Sequence, residues 1–314
     1  MGYLFEGKWI DKKIGSQNRK GEFVRQDAQF RNWITADGSP GASGDGGFEA
    51  EPDRYHLYFS HACPWAHRTL IFRTLKGLEK IISISDVHWF YGKNGWTFEN
   101  TEITDSANNA NHLHEIYTAS ETKYTGVVSV PVLWDKSKKV IVSNESSEII
   151  RMFNSSFDHI GARRGDYYPK NLKNEIDAIN DRIYSTLNNG VYRTGFSTTQ
   201  DAYERAVTTL FDTLDWLEER LKNQRYLLGN DLTEADWRLF TTLVRFDCVY
   251  VGHFKCNIRR IADYKNLSDY MKNLYKEPGI SKTVRFDHIK NHYYASHKEI
   301  NPTQIIPVGP DIEF

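Results

Sequence analysis

The sequence predicts an α/β domain followed by an all-helical domain, and three observations carry that prediction. A strand–turn–helix spans Tyr55–Leu75. A second strand follows it and, after an insert, so do a β-hairpin and a closing helix. Beyond about Tyr168, apolar residues recur at helical spacing. A chain of 314 residues has room for one large or two ordinary domains.

The elements follow in order. Residues 1–54 read as an N-terminal extension without regular structure. It holds the run Gly38-Ser39-Pro40-Gly41-Ala42-Ser43-Gly44-Asp45-Gly46-Gly47, which has the composition of a mobile loop. Residues 55–155 form the α/β domain. Tyr55–Ser60 is a buried strand, Pro64–Leu75 a helix with Gly77 as its stop, and Ile81–His88 a second strand. A polar, aromatic insert runs from Trp89 to about Tyr124. Pro131–Asp135 and Val140–Val142 are short strands joined by the charged turn Lys136–Lys139, and Ser146–Asn154 is helical. A parallel β–α–β half before an antiparallel hairpin and a helix is the thioredoxin pattern.

Residues 165–290 read as the helical domain. Between Asp201 and Lys222, Tyr203, Ala206, Val207, Leu210, Leu214, Leu217 and Leu221 share one face. Thr233-Glu234-Ala235-Asp236 has the form of a capping box: Thr233 caps the first turn and Asp236 reaches back. Asn266–Tyr275 is a further helix, stopped before Pro278. Residues 291–314 form a C-terminal extension whose tail, with Pro302, Pro307 and Pro310, reads as extended.

Composition excludes several classes. A net charge of −1 gives no attraction to nucleic acid or to an anionic membrane surface. No apolar run has the length a bilayer requires, and the stretch MGYLFEGKWIDKK lacks the apolar core of a signal peptide. Glu6 stands where an N-myristoylation motif needs Ser or Thr. Three widely spaced cysteines make no disulfide framework and suit a reducing cytoplasm. Aromatic residues make up 14% of the chain, enough to fill a core and to line a pocket for flat ligands.

The candidate chemistry starts at Cys63, in the run His61-Ala62-Cys63-Pro64-Trp65-Ala66-His67-Arg68. Pro64 suits the first position of a helix, so Cys63 falls at its N-cap. Unpaired backbone N–H groups and the positive end of the helix dipole then face the sulfur. That setting lowers a thiol pKa and favours the thiolate. The plainer alternative is a small apolar residue packed at a strand end. Dithiol redox proteins place a second cysteine three residues on, where this chain has Ala66. A lone thiolate needs an outside thiol to finish a reaction, and glutathione is the obvious candidate. His61 and His67 flank Cys63 with no acid placed to orient either, so a Cys–His protease pair is not expected. His67 either favours the thiolate or is a solvated surface residue.

Two more segments complete the candidate site. Val130-Pro131 opens the third strand, where a proline costs no ladder bond. X-Pro bonds are mostly trans, but the topology favours cis here, which would turn the N–H and C=O of Val130 toward an extended peptide. Asn144-Glu145-Ser146-Ser147 opens a helix, and backbone N–H groups there bind carboxylates. Ser146 adds a hydroxyl, and Glu145 suits an ammonium group. The plain alternative is an ordinary helix cap. Cys248, His253 and Cys256 fit no structural zinc spacing, so no metal ligand set is expected. Arg163-Arg164 and Arg259-Arg260 read as solvated pairs.

Cys63-Pro64-Trp65-Ala66, Val130-Pro131-Val132-Leu133-Trp134-Asp135 and Asn144-Glu145-Ser146 together resemble the xi class of glutathione transferases, the glutathionyl-hydroquinone reductases. The likeness extends over nearly the whole chain, through Trp96, Thr233–Asp236 and the stretch from His292-Tyr293-Tyr294 to Pro310. It implies the glutathione transferase fold, glutathione as co-substrate and a homodimer. It also implies a reaction in which Cys63 takes glutathione from a glutathionyl-hydroquinone as a mixed disulfide. Trp96, Val130, Pro131, Glu145 and Ser146 would hold glutathione, and Tyr192, Tyr250 and Tyr293 the aromatic substrate. Val127 departs from the family, whose members often carry a basic residue there; Lys123 or backbone groups would replace it. The alternatives are an omega-like thiol transferase or dehydroascorbate reductase, which would not need the three tyrosines, and a non-catalytic interaction module.

Overall fold

The computed structural model describes residues 2–12 and 16–314. Met1 and Lys13, the two ends of the stretch read for a signal peptide, lie outside them. The described residues form two compact units: residues 2–12 with 26–165, and residues 16–25 with 166–314.

The first unit is built on β3 (Tyr55–Phe59), all of whose residues are buried. Together with β1 (Tyr3–Phe5), β2 (Lys8–Ile10), β4 (Ser83–Asp86), β5 (Gly126–Val127), β6 (Val132–Asp135) and β7 (Val140–Ser143), it makes two sheets. One has the order β4-β3-β6-β7 and the other β2-β1-β5. β3 is parallel to β4, and the connection between them is α1 (Pro64–Leu75). β6 is antiparallel to both β3 and β7. Strands covered on both faces are buried along their whole length, as β3 and β6 are; His56 and Asp135 are the charged or ionisable exceptions to their largely apolar and aromatic make-up.

β4 is shorter than the strand expected over Ile81–His88. Leu78–Lys80 forms a 3-10 turn, and its Leu78 carbonyl accepts from the N–H groups of both Ile81 and Ile82. The insert after β4 is more regular than its composition suggests, because it contains α2 (Leu113–Ser120), which buries Leu113, Ile116 and Tyr117. The closing helix is α3 (Ser146–Ser155). Gly77 stops α1 in the left-handed conformation, φ 62°, and Arg163 donates to the α1 carbonyls of Thr74 and Leu75.

The described residues of the stretch 1–54 divide between the two units. β1 pairs with both β2 and β5, and Asn32 N donates to Val142 O beside the edge strand β7. This covers backbone that an edge would expose. Arg31 forms a bidentate ion pair with Glu148 in the first turn of α3. The glycine-rich run is tied down by Trp33 Nε1 to Ser43 Oγ at 2.9 Å, Ser43 Oγ to Arg31 O at 2.7 Å and Asp45 N to Asn32 Oδ1 at 2.8 Å.

The second unit holds α4 (Lys173–Ile183), α5 (Gly190–Gly195), α6 (Gln200–Arg220), α7 (Glu234–Arg245), α8 (Lys265–Lys276) and α9 (Phe286–Ser296). The expected face of α6 is buried from Ala206 to Leu217, and Leu221 is buried just beyond it; Tyr203 is half-exposed. The capping box opens α7: Asp236 accepts from the N–H and hydroxyl of Thr233. α4 and α7 each run into a π-helical turn, at Tyr184–Asn188 and Phe246–Tyr250. The expected boundary at residue 290 falls inside α9, because the helix continues through Tyr293 to bury it. Residues 16–25 join this unit through Thr198 N to Gly21 O at 3.0 Å and the Arg205–Glu22 ion pair.

His56 is fully buried in β3, between Ser83 Oγ at 2.8 Å and Ser85 Oγ at 3.0 Å. Burial lowers its pKa from 6.5 to about 4, and burial lowers His253 in the second unit to about 4 as well. Below the unfolded pKa the unfolded chain takes up protons that the folded chain refuses. Stability is therefore full above pH 6.5 and is lost as pH falls toward 4. The His56 share of that loss is about 3 kcal/mol. Urea denaturation across this window should show a shallower fall for His56→Asn than for the parent chain; equal slopes would remove His56 from the account.

Candidate active site

Cys63 is the N-cap of α1, with φ −77°, ψ 121° and Pro64 following. Its thiol is half-buried, belongs to no disulfide and donates to the Val130 carbonyl at 3.6 Å. His67 N donates to Cys63 O, continuing the helix. The His67 side chain is fully buried and is not a solvated surface residue, because α1 buries nearly its whole circumference. His61 is packed edge-on to Phe59 at 4.9 Å.

The Val130–Pro131 bond is cis, as the topology predicted. The other helix start, Asn144–Ser147, also lies in this unit. Glu145 is the N-cap of α3, and its Oε1 accepts from Ser147 N at 2.9 Å and from Ser147 Oγ at 2.7 Å. Ser146 is buried and accepts from Arg68 Nη1 at 3.4 Å. Arg68, itself buried, lies 4.5 Å over the Trp65 ring. Sequence reasoning quoted Arg68 without giving it a role; an arginine five residues after the N-cap cysteine is the only signal that pointed to it. Trp96 is buried in the insert, edge-on to Tyr91 at 5.1 Å. Val127 lies in β5, paired with Tyr3, and its carbonyl accepts from Tyr124 Oη at 3.2 Å. Lys123 is exposed.

The residue that sets the spacing of the Val130 and Glu145 segments was not singled out in the sequence. Tyr117 is wholly buried on α2. Its hydroxyl donates to Ser129 O at 2.8 Å and accepts from Ser129 N at 3.2 Å and Asn144 Nδ2 at 3.1 Å. Asn144 Oδ1 in turn accepts from Phe30 N at 3.1 Å. One hydroxyl thus fixes the residue before Val130 and the residue before Glu145.

In the helical unit the three tyrosines read from the sequence come together. Tyr293 Oη lies 2.6 Å from Tyr192 Oη and 3.2 Å from Tyr250 Oη. Tyr250 comes from the π-helical turn after α7, Tyr192 from α5 and Tyr293 from α9. Burial pushes the Tyr250 and Tyr293 hydroxyls well above their usual pKa, against an opposing pull from Arg245. Both are therefore neutral hydrogen-bond donors at neutral pH. Phe254 stacks on Tyr250 at 5.5 Å. It can do so because Gly195 lies beside it: a Cβ there would fall 2.2 Å from the Phe254 ring. Arg25, from the N-terminal segment, lies 4.7 Å over the Tyr192 ring and donates to Asn189 Oδ1 at 2.8 Å. Cys248 and Cys256 are buried; burial pushes the Cys248 thiol up to about 12 and Cys256 higher still.

Comparison with known proteins agrees with this architecture. Residues 62–156 match the family described as glutathione S-transferase, N-terminal domain, and residues 200–273 match glutathione S-transferase, C-terminal domain. The chain is 55% identical over 313 residues to glutathionyl-hydroquinone reductase YqjG of Escherichia coli, covering 99% of this chain and 95% of that protein. It is 54% identical to glutathionyl-hydroquinone reductase PcpF of Sphingobium chlorophenolicum, covering 99% and 96%. The glutathione-bound structure of YqjG superimposes with a TM-score of 0.92 at 53% identity, over 99% of this chain and 96% of that one. The xi glutathione transferase of Phanerochaete chrysosporium gives 0.88 at 50% identity, over 94% of each.

Tyr117→Phe keeps the ring and deletes the hydroxyl, leaving the Ser129 and Asn144 groups with one partner fewer. The expected cost is about 1–3 kcal/mol of unfolding free energy, read by denaturant titration. A change within error would mean that these segments hold their places without the hydroxyl.

Proposed function

Since the chain belongs to the xi class of glutathione transferases, we propose that it reduces glutathionyl-hydroquinones to hydroquinones with glutathione. The observation that carries the reading is Cys63 at a helix N-cap in a chain this similar to two glutathionyl-hydroquinone reductases. The reaction has two steps. The Cys63 thiolate attacks the glutathionyl sulfur of the substrate. The S–S bond of an enzyme–glutathione mixed disulfide forms, and the ring C–S bond breaks. The ring keeps the electron pair and takes a proton at that carbon, giving the hydroquinone. The thiolate of a second glutathione then attacks the glutathionyl sulfur of the mixed disulfide, releasing oxidised glutathione and returning the Cys63 thiolate. The ring carbon is reduced, and the two glutathione sulfurs are oxidised to the disulfide.

Several features support roles for the remaining residues. Val130 and Pro131 receive the glutathione backbone, and the α3 N-terminus with Glu145 and Ser146 receives its γ-glutamyl end. The capping bonds of Glu145 Oε1 hold that carboxylate at the helix start. Trp96 contributes from the insert, and Lys123 or backbone groups take the place of the basic residue missing at Val127. Tyr192, Tyr250 and Tyr293 bind the aromatic ring through its oxygens. Neutral hydroxyls donate to the charge that develops on a ring oxygen as the C–S bond breaks. The active species is a homodimer in the cytoplasm.

Mass spectrometry and product analysis after mixing the protein with a glutathionyl-hydroquinone and glutathione test the mechanism. One glutathione on Cys63, free hydroquinone and oxidised glutathione are expected. Cys63→Ser should lose at least roughly a thousandfold of the turnover. A Cys63 adduct with no hydroquinone would favour an omega-like thiol transferase, and neither adduct nor turnover would favour a binding module. Tyr293→Phe, which removes the hydroxyl shared by the other two tyrosines, should lower kcat/KM by roughly 100-fold. The glutathione adduct on Cys63 should still form; unchanged kinetics would take the tyrosines out of the mechanism.

A further inference from the structure

We propose that His112, His114 and Glu115, at the start of α2, form a binding site for a divalent zinc-type ion. The proposal is independent of the reductase chemistry. The three ligand atoms lie within 4.8 Å of one another, and all three residues are half-exposed, so an ion can reach them.

Two histidines two residues apart on a regular helix point away from each other. Here they do not, because His112 is the N-cap, with extended backbone at φ −135°, ψ 147°. Its ring therefore falls beside that of His114, 5.1 Å away and nearly parallel. Trp9 stacks with His114 at 4.9 Å, and its indole N–H donates to Lys93 O at 2.8 Å. Glu115 is held at both oxygens: Oε2 accepts from Asn111 N at 3.2 Å, and Oε1 lies 3.1 Å from His112 Nδ1.

Two imidazoles and a carboxylate are the donor set of three-ligand zinc sites that keep an open position for water. Bonds of about 2.0–2.2 Å to such an ion require the donors to close further, which side-chain rotation at a half-exposed site allows. A bound ion would cross-link the N-cap and first turn of α2, whose next turn carries Tyr117.

Zinc chloride titrated calorimetrically into the full chain carrying Cys63→Ser, so that this half-buried thiol does not compete, tests the site. One ion per chain is expected. His114→Phe keeps the ring on Trp9, and Glu115→Gln keeps the shape of the acid. Each should weaken binding by at least the roughly 10–100-fold that loss of an outer-shell partner costs. The zinc-dependent rise in Tm should disappear with it. No zinc uptake by the Cys63→Ser chain, or equal uptake in both further variants, would overturn the proposal and leave these residues as a helix cap under a ring stack.

Discussion

The antiparallel register between β3 and β6 is the constraint on which the rest of the first unit depends. Leu57 lies opposite Leu133 and Tyr58 opposite Val132. The chain leaving β3 therefore turns into α1 beside the chain entering β6. That is why the Cys63 thiol meets the Val130 carbonyl, although the two are far apart in sequence. A slip of one residue would exchange the faces of every side chain on β3. Because β3 is buried on both faces, polar partners mark the correct register as much as apolar ones do. A slip would take His56 from Ser83 and Ser85, and Tyr58 from Asp105 and Asn108. Each of those groups would be buried without its partner, at a cost of about 1–3 kcal/mol apiece.

Polar hubs do the same work where no sheet is available to do it. Asp236 accepts from Thr233 N and Oγ1, Leu227 N and Tyr270 Oη. It ties the start of α7 to the preceding loop and to α8. Burial raises its pKa against the pull of those donors, so the network contributes position more than bulk stability. Tyr117 plays the corresponding part in the first unit, just beyond the end of the β6–β7 ladder, whose last pair is Leu133 with Ser143. The tyrosine cluster is a third hub, with Tyr293 Oη at its centre. Satisfied interior networks specify one arrangement because every alternative leaves a donor or acceptor stranded.

What was legible in the sequence was local. The Cys63 N-cap followed by Pro64, the Gly77 stop, the Thr233–Asp236 box and the apolar face of α6 are each written within a few residues, and the structure has each of them. α2 was not legible: eight residues with three buried side chains give too short a period inside a polar insert. The path of residues 16–25 was not legible either. It depends on contacts such as Thr199 Oγ1 to Lys20 O and Arg25 with Asn189, which join positions distant in sequence. His67 was ambiguous for a related reason. A histidine one turn into a helix looks the same whether that face meets solvent or protein. The three tyrosines were named through family resemblance, and no spacing in the chain predicts that their hydroxyls meet.

The cysteine inventory bears on the external thiol that the proposed mechanism requires. A dithiol enzyme resolves its mixed disulfide with a second thiolate, and the position that would supply one on α1 is Ala66, which is fully buried. Cys248 and Cys256 are no substitute, because burial keeps both thiols protonated at neutral pH. A protonated, enclosed thiol is a poor nucleophile toward a disulfide. Cys63 differs from both: it is half-buried and stands where the backbone N–H groups of a helix start can stabilise a thiolate. The chain thus provides one thiol suited to attack and none suited to resolution. Under the proposed mechanism, turnover therefore requires a soluble thiol, the part proposed for glutathione.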